Sequence, residues 1–184
     1  QPLLLLADET GGLYQSAARG APWQALAVPW SAQHQLLGLQ ISPLDRTAQT
    51  FYALTAQADP ARGHLMQLWQ TRNNGLDWQV LIDFYGDMPA AAMTLPLDPV
   101  EQPILVGVRN RLIKVYQLAD SPADGIAWAA DQSFLDSALR ITQIVTTDRY
   151  VEDRAIYVTT NAGVWQTQDS GVTWAPVGAG LAGS

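Results

Sequence analysis

Apolar residues in this chain come in short bursts, each closed by glycine, proline, aspartate or a hydroxyl cluster. Leu3 to Ala7 is a continuous apolar run stopped by Asp8-Glu9-Thr10-Gly11-Gly12, and Leu13 to Ser16 follows. A second unit holds Leu36 to Ile41, a Ser42-Pro43-Leu44-Asp45 break, Phe51 to Ala56, Leu65 to Thr71 and Trp78 to Ile82. A third holds Ala91 to Leu95, a Pro96-Leu97-Asp98-Pro99 break, Ile104 to Arg109, Leu112 to Leu118 and a run from Ile126. The fourth has Ile141 to Val145, a Thr146-Thr147-Asp148-Arg149 break, Ala155 to Thr160, Val164 to Thr167 and a run from Thr173. Bursts this short, rich in β-branched and aromatic residues and punctuated by turn formers, predict strands rather than amphipathic helices. The pattern therefore predicts an all-β chain with up to four strands per unit, in units of approximately 1–30, 31–86, 87–133 and 134–184 of one domain.

A second pattern runs through the first. A hydroxyl, a glycine four residues on and a tryptophan three further recur as Ser16/Gly20/Trp23, Thr71/Gly75/Trp78, Ser121/Gly125/Trp128 and Thr167/Gly171/Trp174. The tryptophans are 55, 50 and 46 residues apart, near the propeller-blade repeat of about 40 to 50. The residue types suit a tight hairpin turn. Glycine accepts positive φ without a Cβ clash, and an Asp or Asn two residues after the hydroxyl accepts N–H groups inside the turn, as Asp169 and Asn73 are placed to do. The tryptophan then opens the next strand and is expected to plug its ring against a neighbouring layer.

Thr167-Gln168-Asp169-Ser170-Gly171-Val172-Thr173-Trp174 resembles the Asp-box, the S/T-x-D-x-G-x-T-W hairpin of BNR-repeat, sialidase-like β-propellers. Thr71 to Trp78 matches with Asn73 for the acid and Asp77 for the second threonine, while the Ser16 and Ser121 copies carry Ala18 and Ala123 where the acid belongs. Ser42-Pro43 and Asp45-Arg46-Thr47 before Phe51-Tyr52, and Asp153-Arg154 before Ile156-Tyr157, also look like this family's units. The resemblance implies a β-propeller of the sialidase, sortilin or assembly-factor kind, in an extracytoplasmic or secreted setting. Its Asp-box lies on the outer hairpin and is structural.

By this reading the first unit lacks a strand before Leu3, so the chain holds about three and three-quarter blades against the usual 4 to 8 of a closed ring. An open sheet edge invites pairing. We expect part of a larger propeller, covered by the rest of a longer parent chain or by another protein chain. A four-bladed ring would need a strand from the glycine- and alanine-rich residues after Val177, which are poor strand formers.

Charge and composition narrow the chemistry. The chain has 184 residues and a net charge of −7, so a phosphate-binding stripe and a nucleic-acid partner are not expected. It has no cysteine, which excludes disulfides and thiolate chemistry. No apolar stretch reaches the roughly 18 to 20 residues of a membrane span. Leu3 to Leu6 is too short for a signal-peptide core, so any export signal is expected outside this numbering.

No residue pattern announces a reaction. His34 and His64, the two histidines, have no ligand-type partner at i+2 or i+4, and a metal site needs three or four converging ligands. No metal or other cofactor is expected. Asp83 and Asp87, in a loop after the Trp78 to Ile82 strand, could form the carboxylate pair of a glycosidase or be solvated turn acids. Asp120, Asp124 and Asp131 lack the alternating run of a calcium loop. The sialidase resemblance implies an arginine triad and a tyrosine nucleophile, but the nine arginines fall mostly in turns. Trp30, in a Pro29-Trp30-Ser31 loop, and Tyr85 are the candidate surface binding residues, with Trp69 in a strand. The expected function is a non-catalytic module binding a protein or glycan through a propeller face; the alternative is a piece of a secreted sialidase- or xyloglucanase-type glycoside hydrolase.

Overall fold

The computed structural model describes residues 4–16, 22–43, 45–47, 49–89, 92–95, 103–117, 126–133 and 137–178, with the backbone alone at 117 and 126–133. The chain divides into two compact units, Gln1–Pro89 and Ala90–Ser184. The first contains β1 (Leu4–Ala7), β2 (Leu13–Ser16) and β3 (Gln24–Leu26) in one sheet, and β4 (Gln35–Ile41), β5 (Phe51–Asp59), β6 (Gly63–Thr71) and β7 (Gln79–Gly86) in another. The second contains β8 (Ala92–Thr94), β9 (Ile104–Val108), β10 (Arg111–Gln117) and β11 (Ile126–Ser133), then β12 (Ile141–Thr146), a single helical turn α1 (Tyr150–Asp153), β13 (Ile156–Thr160), β14 (Gly163–Thr167) and β15 (Ala175–Pro176). All four sheets are antiparallel and follow chain order.

Burial follows position in the sheet. The inner strand β5, Phe-Tyr-Ala-Leu-Thr-Ala over its first six residues, is buried on both faces and is apolar throughout for that reason. Edge strand β4 is only half-buried. In the first unit Leu13, Trp30 and Ala53 form a core joined by Leu26, Leu36, Leu39, Trp69 and Trp78. In the second, Leu105, Leu112, Leu139, Ile141, Ile144, Tyr150, Ile156 and Val158 cluster with Trp165 and Trp174 at the margin. Gly107 lets the two sheets of that unit close together, since a Cβ there would lie 2.8 Å from Ile141 Cγ2.

The hydroxyl-glycine turns show why their residue types recur. Thr71 Oγ1 accepts from Gly75 N at 3.0 Å and donates to Asn73 Oδ1 at 3.0 Å, and Asn73 Oδ1 accepts from Asp77 N at 2.9 Å. Thr167 Oγ1 accepts from Gly171 N at 2.8 Å and donates to Asp169 Oδ1 at 2.6 Å, and Asp169 accepts from Thr173 N at 2.8 Å. The glycines have φ of 83° and 91°, and the residues before them are left-handed too, Asn74 at 62° and Ser170 at 59°. Two successive positive φ values reverse the chain so that Leu76 N reaches Asn73 O, and Val172 N reaches Asp169 O, at 3.4 Å in each turn.

Each of these turns is stitched to the loop before the sheet's second strand. Asn74 N donates to Gln49 O at 2.9 Å and Ser170 N to Arg154 O at 3.1 Å. Those loops are in turn caged by a carboxylate. Asp45 accepts from Thr47 N, Gln49 N and Thr50 N at 2.9, 2.9 and 2.7 Å, and Asp153 accepts from Ala155 N at 2.9 Å and Thr147 Oγ1 at 2.8 Å.

Acid loosens these cages. The hydroxyl of Thr47 and the neighbouring N–H groups hold the Asp45 carboxyl well below the usual range, and Thr167, then Thr173, do the same for Asp169. A depressed folded pKa gives stability that is complete above the unfolded value of about 3.9 and is lost as pH falls below it. The melting temperature should therefore fall steeply below pH about 4. Asp169→Asn, which keeps the acceptor that Asn73 supplies in the equivalent turn, should flatten that fall. Circular-dichroism melts from neutral to acid pH check this; parallel curves for the two proteins would refute it.

The structure departs from the sequence reading at several places. β7 runs to Gly86, so Asp83, Phe84 and Tyr85 are in the strand and not in a loop. Trp23 is 41% exposed and plugs no layer; Pro22 precedes its ring in this degenerate copy. A helical turn, α1, fills the loop before β13.

Candidate functional site

The sequence-predicted residues fall into separate places. Ser16, Thr71 and Thr167 are buried at strand ends, where each closes a hairpin or is positioned to do so. Gly20, Ser121 and Gly125 lie outside the described residues, as does the side chain of Trp128. The indole of Trp174 donates to Gly171 O at 3.1 Å, clamping its own turn. Trp78 instead meets Trp30 edge-on, ring centroids 5.3 Å apart.

Trp30 is not a surface group. It is 6% exposed, tilts against Trp69 at 5.8 Å between centroids and donates its indole N–H to Gly11 O at 3.0 Å. The loop that carries it folds inward because two other indoles and the β2 core give the ring more apolar contact than solvent would. Trp69 is occupied as well, donating to Thr55 Oγ1 at 3.0 Å.

Of the two candidate surface aromatics, Tyr85 is the one left outside. It is 40% exposed near the end of β7, beside Leu65 of β6, where the β5–β6 hairpin projects. Alternation along β7 turns Phe84 into the core and Asp83 and Tyr85 outward. The Arg62 guanidinium, from the hairpin, lies 5.0 Å above the Tyr85 ring. Asp59 shapes that hairpin by accepting from Ala61 N at 2.8 Å and Arg62 N at 3.1 Å. The result is a half-exposed phenol stiffened by a cation, with exposed Asp83 and Asp87 at its flanks. Such a surface can stack on a sugar ring or serve as an aromatic anchor for a protein.

Among the described residues the acids with lowered pKa are engaged elsewhere. Asp8 is held low by Thr10 and Gly12, as Asp45, Asp153 and Asp169 are by their own turns. None of these is raised, as the general acid of a glycosidase would be. His34 pairs with Ser31 Oγ at 3.1 Å. Among the described residues no three His, Asp or Glu side chains converge as a metal site. Asp120 and Asp124, and the side chain of Asp131, lie outside the described residues.

One buried cation escaped the sequence reading. Lys114, the chain's only lysine, is 7% exposed in β10, where alternation places it on the face of Leu112. Burial pushes its ammonium pKa down, and the Asp169 carboxylate opposes that. The signal was available as a lone lysine inside the apolar run Leu112-Ile113-Lys114-Val115. A hollow of about 200 Å³ lined by Gln166, Thr167, Gln168, Thr173, Trp174 and Ala175 also marks this unit. It is below the roughly 300 Å³ at which small-molecule sites begin. Among the described residues no helix is long and apolar enough to cross a membrane.

No protein-family model matches the sequence, and no curated protein matches it. Among solved structures the chain is similar to an ancestral GH74 enzyme, at 12% identity over 95% of this chain and 22% of that one, with a TM-score of 0.60. It thus spans less than a quarter of that enzyme's length. It also aligns with YCF48 from Cyanidioschyzon merolae at 12% identity, over 95% of this chain and 68% of that one, with a TM-score of 0.43. A functionally unknown protein from Desulfotomaculum acetoxidans aligns at 14% identity, over 95% and 65%, with a TM-score of 0.43. The likeness at a TM-score of 0.60 is one of fold, and with four antiparallel sheets in chain order it makes this an all-β chain with the architecture of part of a β-propeller.

Proposed function

We infer that this chain is a non-catalytic propeller module of the Asp-box type that binds a protein or a glycan outside the cytoplasm. The observation that carries the reading is Tyr85, half-exposed at a strand end under the Arg62 guanidinium, while Trp30 is consumed by the core. The Asp-box assignment is supported by the hydroxyl and acid bonds in the Thr71 and Thr167 turns. Among the described residues the four acids with shifted ionisation favour a module over an enzyme, because all four are spent on turn N–H and hydroxyl groups.

A second reading, a portion of a glycoside hydrolase, is favoured by the fold likeness to the GH74 enzyme. A glycan array probed with this chain, together with hydrolysis assays on xyloglucan and sialosides, separates the two. Binding without turnover is expected. Tyr85→Ala should weaken that binding by about fivefold or more, since truncating an aromatic anchor costs over about 1 kcal/mol. Release of sugar by this chain, or unchanged affinity in Tyr85→Ala, would overturn the reading.

A further inference from the structure

The sheets of β4–β7 and β12–β15 match position for position beside their hydroxyl turns. Thr71 pairs with Phe51, and Gln70 pairs with Tyr52 on one side and Gln79 on the other. Thr167 likewise pairs with Ile156, and Gln166 with Tyr157 and Ala175. In the first of these sheets the Gln70 side chain is 1% exposed and engaged at both ends of its amide. Its Oε1 accepts from Arg72 Nε at 3.0 Å and from Gln79 Nε2 at 2.9 Å, and its Nε2 donates to the Tyr52 hydroxyl at 2.8 Å.

The other sheet keeps the glutamine and changes its partners. Gln168 stands where Arg72 stands, one residue after the hydroxyl, and Ala175 stands where Gln79 stands, one residue after the tryptophan. Both replacements are shorter, neither carries a guanidinium, and Ala175 has no side-chain donor. Gln166 is only half-buried, and among the described residues its side chain makes no hydrogen bond. The hollow of about 200 Å³ lies at this place, against Gln166, Gln168, Thr173, Trp174 and Ala175. The repeat accounts for it: the positions whose side chains close over Gln70 carry smaller groups here.

The lining suits a positively charged donor. The Thr173 hydroxyl donates to Asp169 and so presents lone pairs alone to the hollow. Gln166 Oε1 is the acceptor that corresponds to the one Arg72 uses. The Thr167 and Thr173 hydroxyls keep the neighbouring Asp169 carboxyl ionised, and Trp174 adds a half-buried ring for an alkyl stem or a guanidinium plane. We propose that this hollow takes the guanidinium of an arginine side chain carried by a partner polypeptide, on the acceptor equivalent to the one that Arg72 meets within its own sheet. At about 200 Å³ the hollow holds the end of a side chain and not a whole small molecule, whose sites begin at roughly 300 Å³. Free arginine is disfavoured, because its carboxylate would approach Asp169 on a chain of net charge −7. The site is separate from Tyr85 and stands whether or not that surface binds a glycan.

The tripeptide acetyl-Gly-Arg-Gly-amide, titrated into the intact isotope-labelled protein, tests this through the nuclear magnetic resonance signal of the Trp174 indole N–H, identified by its absence from Trp174→Phe. A saturable shift is expected. The citrulline counterpart, which keeps the shape and loses the charge, and free arginine should each bind about tenfold more weakly or worse. Gln168→Arg combined with Ala175→Gln fills the hollow with the side chains that the sheet of β4–β7 already accommodates, and should abolish the shift. The citrulline comparison uses the unaltered protein, which keeps the test independent of how that variant folds. Absence of a saturable shift, equal binding of the citrulline peptide or of free arginine, or undiminished binding by the filled variant would overturn the proposal.

Discussion

Replacing Trp30 with alanine should destabilise the protein by about 3–5 kcal/mol, the cost of deleting a large aromatic from a packed interior. The ring touches two other indoles, at 5.8 and 5.3 Å between centroids and at interplanar angles of 53° and 73°, geometries that favour aromatic pairs. Truncation would also leave Gly11 O without the indole donor it accepts from at 3.0 Å. Gly11 itself is left-handed at φ 82° and lies against the same ring, so the turn after β1 should loosen with it. Urea denaturation followed by tryptophan fluorescence and near-ultraviolet circular dichroism measures the loss. A change within about 0.5 kcal/mol, the usual range for surface substitutions, would return Trp30 to the surface.

Gly63→Ala should cost about 3 kcal/mol through strain at a constrained backbone position. Gly63 has φ 92°, and a Cβ there would lie 2.4 Å from Gly86 O, a backbone atom of β7 that cannot turn aside. His64 pairs with Gly86, so relief requires opening β6 from β7 at the end where Tyr85 sits. The chain contains its own control. Gly163 starts β14 as Gly63 starts β6, has φ 113°, and a Cβ there meets nothing within 4 Å. Gly163→Ala should therefore lose only the backbone term, about 1–2 kcal/mol. The difference between the two denaturation midpoints isolates the clash; equal losses would show that the close approach is relieved at little cost. If Tyr85 is an anchor, Gly63→Ala should also weaken binding, because it disturbs the hairpin that carries Arg62.

What was legible in the sequence was local. The bonds of the Thr71 and Thr167 turns join residues within a span of eight, so spacing alone placed the hydroxyl, the acceptor and the glycine. Asn74-Gly75 could have been read further, since that dipeptide favours the two positive φ values found there. Strand existence was legible for the same reason: turn residues fix where pairing stops, and short apolar runs have little alternative to a sheet. Strand ends were less so, because β5 and β7 run on through Gln57 to Asp59 and Asp83 to Gly86 as long as a partner strand continues to offer hydrogen bonds.

The candidate site shows the other side of this division. Trp30 and Tyr85 both follow turn or strand residues and both read as exposed aromatics, yet one is walled in by Gly11, Trp69 and Trp78 and the other lies open under Arg62. Lys114 reads as a misplaced charge until the face it shares with Leu112 is known. The sequence by itself determined where the chain turns and which stretches pair, because those interactions close over a few residues. Only the tertiary structure decided which side chains stay in solvent, because burial depends on residues far apart in the chain and no spacing records them.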